Sequence, residues 1–509
     1  MTGYISPRDL VRRGAERHGA RIAVTSPDAN VTYTELAART ARVADILRRA
    51  GVGPGIQVAI SLPNSVDFPA WYFGVLEAGA VVISISPSQT PVEAADLLET
   101  AGVSFLIAPT DQSMPRELGF QPVATPGGAG KTTFWRIDRE PVKLATTPWT
   151  PNGYLQRVFS SGSTGRPKHL FRTEFYTADR LLSYCETLNL QEGERFLAVA
   201  SFGHTYGIGN LQAAYFLGGS VTVLPRFLPS QVIEIARRDK PTVLLMTPPM
   251  VESLATCLIE DGDERAFDSL KFCECSTGWL RKAAYEGFLQ RYGVAVRPRY
   301  GTTETLATAV DLDDDFEEGR VGRPFTRVTI DILNEVDIPC PTGVTGHVAI
   351  RSEGGPDHYV DDPDMSARTF RDGYVFPGDM GYLDDQGRLL VLGRSDIINI
   401  GGFKVDRLEV ERVIRDALPV TDVVVMEGER AGSPAVRAVI EGDPAQITRA
   451  MVINACRAEL SAHKIPAQVQ IFETFARDGN GKALRSFFDA HAPEPHSPRG
   501  PDLPGGADN

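Results

Sequence analysis

The chain has 509 residues, 42% of them hydrophobic and 23% charged, and its 52 Lys and Arg against 65 Asp and Glu leave a formal net charge of -13. That length exceeds what one core ordinarily supports, so two or more domains are expected. The acidic balance argues against non-specific binding to nucleic acid or to an anionic membrane, and still allows one nucleotide in a locally positive pocket.

The opening "MTGYISPRDLVRRGAERHGARIAV" lacks an apolar core followed by a cleavage site, so no signal peptide is expected. Residues 32 to 52 read as a helix, with Thr34 as its cap, Leu36, Val43 and Leu47 on one face and Gly51 as its stop. The most apolar stretch, 58 to 86, is broken by Asp67 and Glu77 and is unsuited to crossing a bilayer. The segments "QVAISLP", "GAVVISIS", "VSFLIAP", "RFLAVAS", "SVTVLP" and "PTVLLMTP" read as buried strands alternating with helices. That rhythm predicts a largely parallel α/β sheet. Beyond about residue 320, short runs such as "VTIDILN", "TGHVAIRS" and "RLLVLGR" between Gly, Pro and Asp predict hairpins and a small β-barrel-like part. From 396 onward a helix over 406–418, strands "DVVVME" and "VRAVIE", and a helix over 446–462 predict a smaller α+β domain. The tail "APEPHSPRGPDLPGGADN" is Pro/Gly-rich without apolar periodicity and is expected to be disordered. The expected division is 1–395, 396–488 and a tail over 489–509.

Six cysteines stand at 185, 257, 273, 275, 340 and 456, and the one close pair, a lone C-x-C, lacks the paired spacing of a zinc site. Scattered reduced thiols fit a cytoplasmic protein.

The stretch "VFSSGSTGRPKHL" (158–170) ends a hydrophobic run in a chain of hydroxyls and glycines closed by Arg166 and Lys168. Such a turn aims backbone N–H groups and hydroxyl donors at one spot, which suits a polyanion. A superficially similar "GGAGKTT" at 127–133 fails the Walker pattern, because Thr125 stands where Gly is required, and reads as a surface turn. Taken alone, a Ser/Gly-rich loop is a weak signal. Its company is more telling: "RYGTTET" (299–305), "YVFPGDMGYLDDQGRLLVLGR" (374–394), "GGFKVDRLEVE" (401–411) and "DGNGKALR" (478–485) follow in that order.

Together these motifs resemble the adenylate-forming superfamily of acyl-CoA synthetases, peptide-synthetase adenylation domains and luciferase. The resemblance runs from "VTYTELA" at 31 to Lys482. It implies a large N-terminal domain of α/β subdomains and a small mobile C-terminal lid. It also implies ATP, Mg²⁺ and CoA as ligands. By the same resemblance Ser160, Ser161, Gly162, Ser163, Thr164, Gly165 and Lys168 wrap the triphosphate. Tyr300, Gly301 and Thr302 border the nucleotide, Thr303 donates to the α-phosphate, and Glu304 holds the metal. A single carboxylate completed by phosphate oxygens and waters suits so hard a cation. Gly278, in "STGWL" (276–280), lines the other side of the adenine, where Trp279 is bulkier than usual. Asp379 accepts the ribose hydroxyls, Arg394 lies beside the ribose and phosphates, and Lys482 bridges the acid and the α-phosphate. Asp396 is the hinge candidate, in a "GRSDIINIGG" segment one residue short of the usual form, and Gly402 and Lys404 face an incoming thiol.

Amino-acid-activating relatives carry an Asp directly after the Phe of the segment matching "FGHTYG" (202–207); here Gly203 occupies that position. A buried ammonium without a counter-charge is costly, so an acid lacking an α-amino group is expected. His204 is a candidate border of the acyl pocket, and His169 replaces the usual Gly after Lys168, either restricting the loop or meeting a phosphate. The thiol acceptor is CoA or a separate acyl carrier protein, since no carrier segment follows residue 490. A relative that binds nucleotide without completing the reaction is the remaining alternative. No nucleic-acid or membrane partner is expected, and the oligomeric state is open.

Overall fold

The computed structural model describes residues 5–89, 91–123, 131–160, 168–334, 336–394, 397–400, 403–430, 433–477 and 483–491. The chain forms two units: one holds the residues up to Pro377 and Gly381–Val391, the other Gly378–Met380 and the chain from Leu392.

The first unit is built on two sheets. In the smaller, the parallel strands Phe105–Pro109, Gln57–Ile60, Val81–Ser84 and Tyr154–Ser160 lie in that order, with antiparallel partners outside them. All four residues of Gln57–Ile60 are buried, as expected of a strand covered on both faces. The larger sheet begins with parallel strands: Ile22–Ser26, Ser220–Val223, Arg195–Ala198, Val243–Met246, Phe272–Cys275 and Arg297–Thr302. It continues antiparallel through Leu306–Val310 and Arg320–Pro324, which pairs with Leu389 and Leu390, so the hairpin-rich part extends the α/β sheet directly. Among the described residues no pairing closes these strands into a barrel.

The helix expected over 32–52 runs Tyr33–Arg49, and Thr32, not Thr34, is its cap. The cause is local: Glu35 lies three residues after Thr32, so the two side chains and backbone N–H groups satisfy one another in a capping box. Arg8 is buried near this end of the unit, donating from Nε to Glu174 Oε1 at 2.6 Å and from its Nη groups to the carbonyls of Leu76, Ala80 and Tyr154.

The second unit has a three-stranded sheet, Asp422–Arg430 beside Ser433–Glu441 beside Gln468–Phe472, and a separate hairpin of Ile397–Ile400 with Phe403–Asp406. Helices Arg407–Ala417 and Arg449–Glu459 cover the sheet, and Val405, Val410, Ile414, Val425, Ile440 and Val452 form their common core. A short helix spans Arg485–Ala490; the tail from 492 lies outside the described residues. All six cysteines are free.

Candidate active site

The Ser/Gly-rich loop hangs between two antiparallel strands, Tyr154–Ser160 and Lys168–Thr173, which pair Ser160 with Lys168 and Phe159 with His169. Residues alternate between the faces of such a hairpin. Lys168 and Arg172 therefore share one face, while His169 shares the other with Arg157, Phe159 and Phe171. His169 thus lies on the face opposite Lys168. It is buried against Phe159, with Arg157 donating from Nε to its Nδ1 at 3.3 Å. Burial, and then the charge of Arg157, push the imidazole down to about 4, so it is neutral.

On the Lys168 face, the ammonium lies 5.5 Å from the ring centroid of Tyr359, and the Val360 N–H donates to the His169 carbonyl. The Tyr359 hydroxyl donates to Glu304 Oε1 at 2.6 Å. Arg172 reaches the same segment: its Nη2 donates to the Thr303 carbonyl at 2.6 Å, and Tyr176 donates to the Glu304 carbonyl at 3.2 Å. Complete burial pulls the Arg172 guanidinium down to about 10, still a cation at neutral pH. The basic residue that closes the loop and the carboxylate of "TTE" are therefore built around one tyrosine ring.

The "YGTTE" turn is held from within by hydroxyls. Thr302 N–H and Oγ1 meet Thr305 Oγ1 at 3.2 and 3.1 Å, and the Glu304 N–H donates to Thr302 Oγ1 at 3.2 Å. Gly301 is obligatory, because a Cβ there would lie 1.9 Å from the Leu306 carbonyl oxygen. Leu306 takes φ 57 to close the turn, and Thr277, next to Gly278, takes φ 73. Left-handed backbone at a leucine and a β-branched residue marks a segment held by its surroundings. Ser276 ties the two segments, donating to the Arg299 carbonyl at 2.9 Å.

Glu304 is 6% exposed, and no hydrogen bond to its Oε2 occurs among the described residues. No cluster of three or more His, Cys, Asp or Glu among the described residues could hold a metal alone. An ion at Glu304 needs phosphate oxygens and water as its remaining ligands, and a lone hard carboxylate oxygen fits Mg²⁺ on those terms.

A family model described as AMP-binding enzyme matches residues 11–359, more than half of the chain. The chain belongs to the AMP-binding enzyme family.

Curated relatives of this AMP-binding enzyme include 3-hydroxybenzoate–CoA ligase of Aromatoleum sp. (strain CIB), 25% identical over 482 residues that cover 90% of this chain and 91% of that one. Medium-chain fatty-acid–CoA ligase of Escherichia coli (strain K12) is 26% identical, covering 95% and 89%. The fold matches ATP-bound MatB from Rhodopseudomonas palustris with a TM-score of 0.78 at 22% identity, covering 94% of this chain and 98% of that one.

The other sequence-predicted residues of this AMP-binding enzyme divide into three groups. His204 is half-buried and caps the helix Thr205–Phe216. Its neighbour Gly203 is fixed by packing: a Cβ would lie 2.6 Å from the Ser86 Cα, so no larger residue fits there. Ser160, Arg394 and Lys404 end or lie within strands, and Asp379 opens the strand Asp379–Leu383. Ser161, Gly162, Ser163, Thr164, Gly165, Asp396, Gly402 and Lys482 lie outside the described residues, as does most of the Walker-like stretch at 127–133.

Trp279 is 44% exposed, with its Nε1 donating to Glu318 Oε1 at 2.8 Å. Arg172, Tyr359 and Arg299 went unread in the sequence. Arg172 carried a usable signal, its four-residue spacing from Lys168 on a strand. Tyr359, in "DHYVDDP", carried none.

Proposed function

We propose that this AMP-binding enzyme is an AMP-forming acid–CoA ligase. One observation supports it most: Lys168 and Glu304, read as a phosphate-side cation and a metal-side carboxylate, both meet Tyr359, one at its ring and the other at its hydroxyl. The names of the curated relatives, CoA ligases for aromatic and aliphatic acids, point the same way.

A carboxylate is a poor electrophile, and ATP converts it. A carboxylate oxygen attacks the α-phosphorus, the bond to the β-phosphate oxygen breaks, and pyrophosphate leaves an acyl-adenylate. A thiolate then attacks the acyl carbon and AMP departs. Bringing two anions together requires positive charge and fixed donors. In this reading Lys168 and the hydroxyls of Ser160, Ser161, Ser163 and Thr164 receive the triphosphate. Thr303 donates to the α-phosphate, Tyr300 borders the adenine, and Asp379 accepts the ribose hydroxyls with Arg394 beside it. Mg²⁺ at Glu304 supplies charge neutralisation on the phosphate oxygens. Lys482, on a C-terminal lid of 396–488 pivoting at Asp396, completes the charge around the acid and the α-phosphate. Gly402 and Lys404 serve the thiol step. The substrate lacks an α-amino group, because Gly203 leaves no counter-charge and the nearby carboxylate, Glu274, is ion-paired with Arg299 at 2.9 Å.

A second reading, adenylation with a different acceptor, draws on the 2,3-dihydroxybenzoate–AMP ligase of Bacillus subtilis (strain 168), 26% identical over 505 residues. Pyrophosphate release across a panel of carboxylic acids, followed by mass spectrometry of thioester formed with CoA, tests both. Release with no acid refutes the ligase; release without CoA thioester leaves the second reading. Lys482→Ala is expected to slow adenylation at least tenfold, which is about 1.4 kcal/mol at the barrier, and an unchanged rate removes that role.

A further inference from the structure

Arg299 directly precedes Tyr300 on the strand Arg297–Thr302, and its side chain enters a polar cluster that the reaction chemistry above leaves unused. Its Nε lies 2.9 Å from Glu274 Oε1. Glu274 is wholly buried in the middle of the strand Phe272–Cys275. Cys273 and Cys275 alternate with it and pack on the opposite face, with Leu254 and Phe288. On its own face Glu274 accepts from the Tyr184 hydroxyl at 3.0 Å, and the Tyr206 hydroxyl, beside the same carboxylate, donates to the Met246 carbonyl at 3.1 Å. The guanidinium carbon stands 4.7 Å from the Tyr206 ring centroid and 6.0 Å from that of Tyr184.

Arg299 Nε and Glu274 Oε1 therefore form an ion pair without a hydrogen bond between them, and the guanidinium keeps unmet donors. Among the described residues, no hydrogen-bond acceptor meets Arg299 Nη1 or Nη2. The side chain is 13% exposed, so the Nη edge is not sealed in protein. Three segments adjoin Arg299: "YGTTE", which follows it; "STGWL", whose Ser276 bonds its carbonyl; and the helix from Thr205, whose Tyr206 ring meets its guanidinium. All three border the site where acid and nucleotide meet in the proposed reaction.

We propose that Arg299 selects the acid, its Nη groups receiving an uncharged oxygen acceptor, a hydroxyl or carbonyl remote from the reacting carboxylate. Partly desolvated guanidinium donors left without an acceptor are costly, and a substrate oxygen removes that cost. An uncharged oxygen fits better than a second carboxylate. Glu274 already cancels the charge of Arg299, so another anion would leave excess negative charge between two tyrosine rings. The aromatic faces of Tyr184 and Tyr206 hold the guanidinium plane, which sets the direction from which the oxygen must come.

This inference rests on the acid-activating reading. Its test is the initial rate of pyrophosphate release with two matched series: benzoate, meta-hydroxybenzoate and isophthalate; pentanoate, levulinate and glutarate. In at least one series the oxygenated acid is expected to exceed the plain acid by roughly tenfold or more in kcat/KM, with the dicarboxylate poorest. Arg299→Met is expected to collapse that ratio towards one. Glu274→Gln removes the compensating charge with little change of shape, and is expected to move the preference towards isophthalate or glutarate. Should Arg299→Met fail to fold, the wild-type series and Glu274→Gln decide the matter. Equal rates for plain and oxygenated acids in both series, a wild-type preference for the dicarboxylate, or a ratio untouched by Arg299→Met overturns the inference alone. Release with none of the six acids overturns the acid-activating reading, and this inference with it.

Discussion

Replacing Tyr359 with Phe tests the arrangement at its centre. The substitution removes one hydroxyl and keeps the ring, so the Lys168 ammonium at 5.5 Å and the edge contact with Phe370 at 5.1 Å both survive. What disappears is the 2.6 Å donation to Glu304 Oε1. A hydrogen bond to a charged group contributes about 1.5–3 kcal/mol. Because Glu304 is buried, water cannot fully replace the lost donor, so the effect belongs in that range. If Tyr359 holds Glu304 in position for the metal, the rate of acid-dependent pyrophosphate exchange falls roughly ten- to hundredfold. The Mg²⁺ concentration giving half the maximal rate rises with it. A cycle with Glu304→Gln gives the sharper answer: the double variant should be little slower than Glu304→Gln alone, because Tyr359 acts through Glu304. Additive losses, or a Tyr359→Phe enzyme with the wild-type rate and Mg²⁺ requirement, would refute the reasoning.

Three further predictions concern the scaffold. Gly203→Asp is expected to lower the apparent melting temperature without conferring α-amino-acid activation, since any Cβ meets the Ser86 Cα at 2.6 Å; amino-acid-dependent pyrophosphate release by a stable variant would contradict this. Glu174→Ala strands the buried Arg8 charge and is expected to cost about 3–5 kcal/mol, read as a lower urea midpoint for the first unfolding transition. His169 has its pKa moved from 6.5 to about 4, so between those values the unfolded chain binds a proton that the folded chain refuses. Its contribution is complete above pH 6.5 and is lost as pH falls towards 4, by at most about 3 kcal/mol. In His169→Gln the thermal midpoint should fall less steeply across that window, and an identical pH profile would dismiss the effect.

Much of the candidate site could be proposed from the sequence because its motifs are local. Ser/Gly-rich and Tyr-Gly-Thr-Thr-Glu segments place several groups within a few residues, and their order along the chain carries the resemblance. The helix from Tyr33 was likewise announced by its periodicity, and its start was misread by two residues because the decisive partner, Glu35, lies inside the helix. The rest depends on residues brought together from far along the chain. Tyr359 and Glu304 are 55 residues apart, and Arg172 and Thr303 are 131 apart. Glu274 in "FCECS" is indistinguishable, as letters, from a solvated strand acid; its burial is decided by the helices of Tyr184 and Tyr206. Trp279 stood out in the sequence only by its size; its partner, Glu318, lies 39 residues away.

The strand Lys168–Thr173 joins two grips, one at each end of the same face. Because side chains reverse sides at each step, adding or deleting one residue between Lys168 and Arg172 would swing one of them behind the sheet while the other stayed. Within this stretch, chain length itself is the constraint that keeps Lys168 and Arg172 in phase.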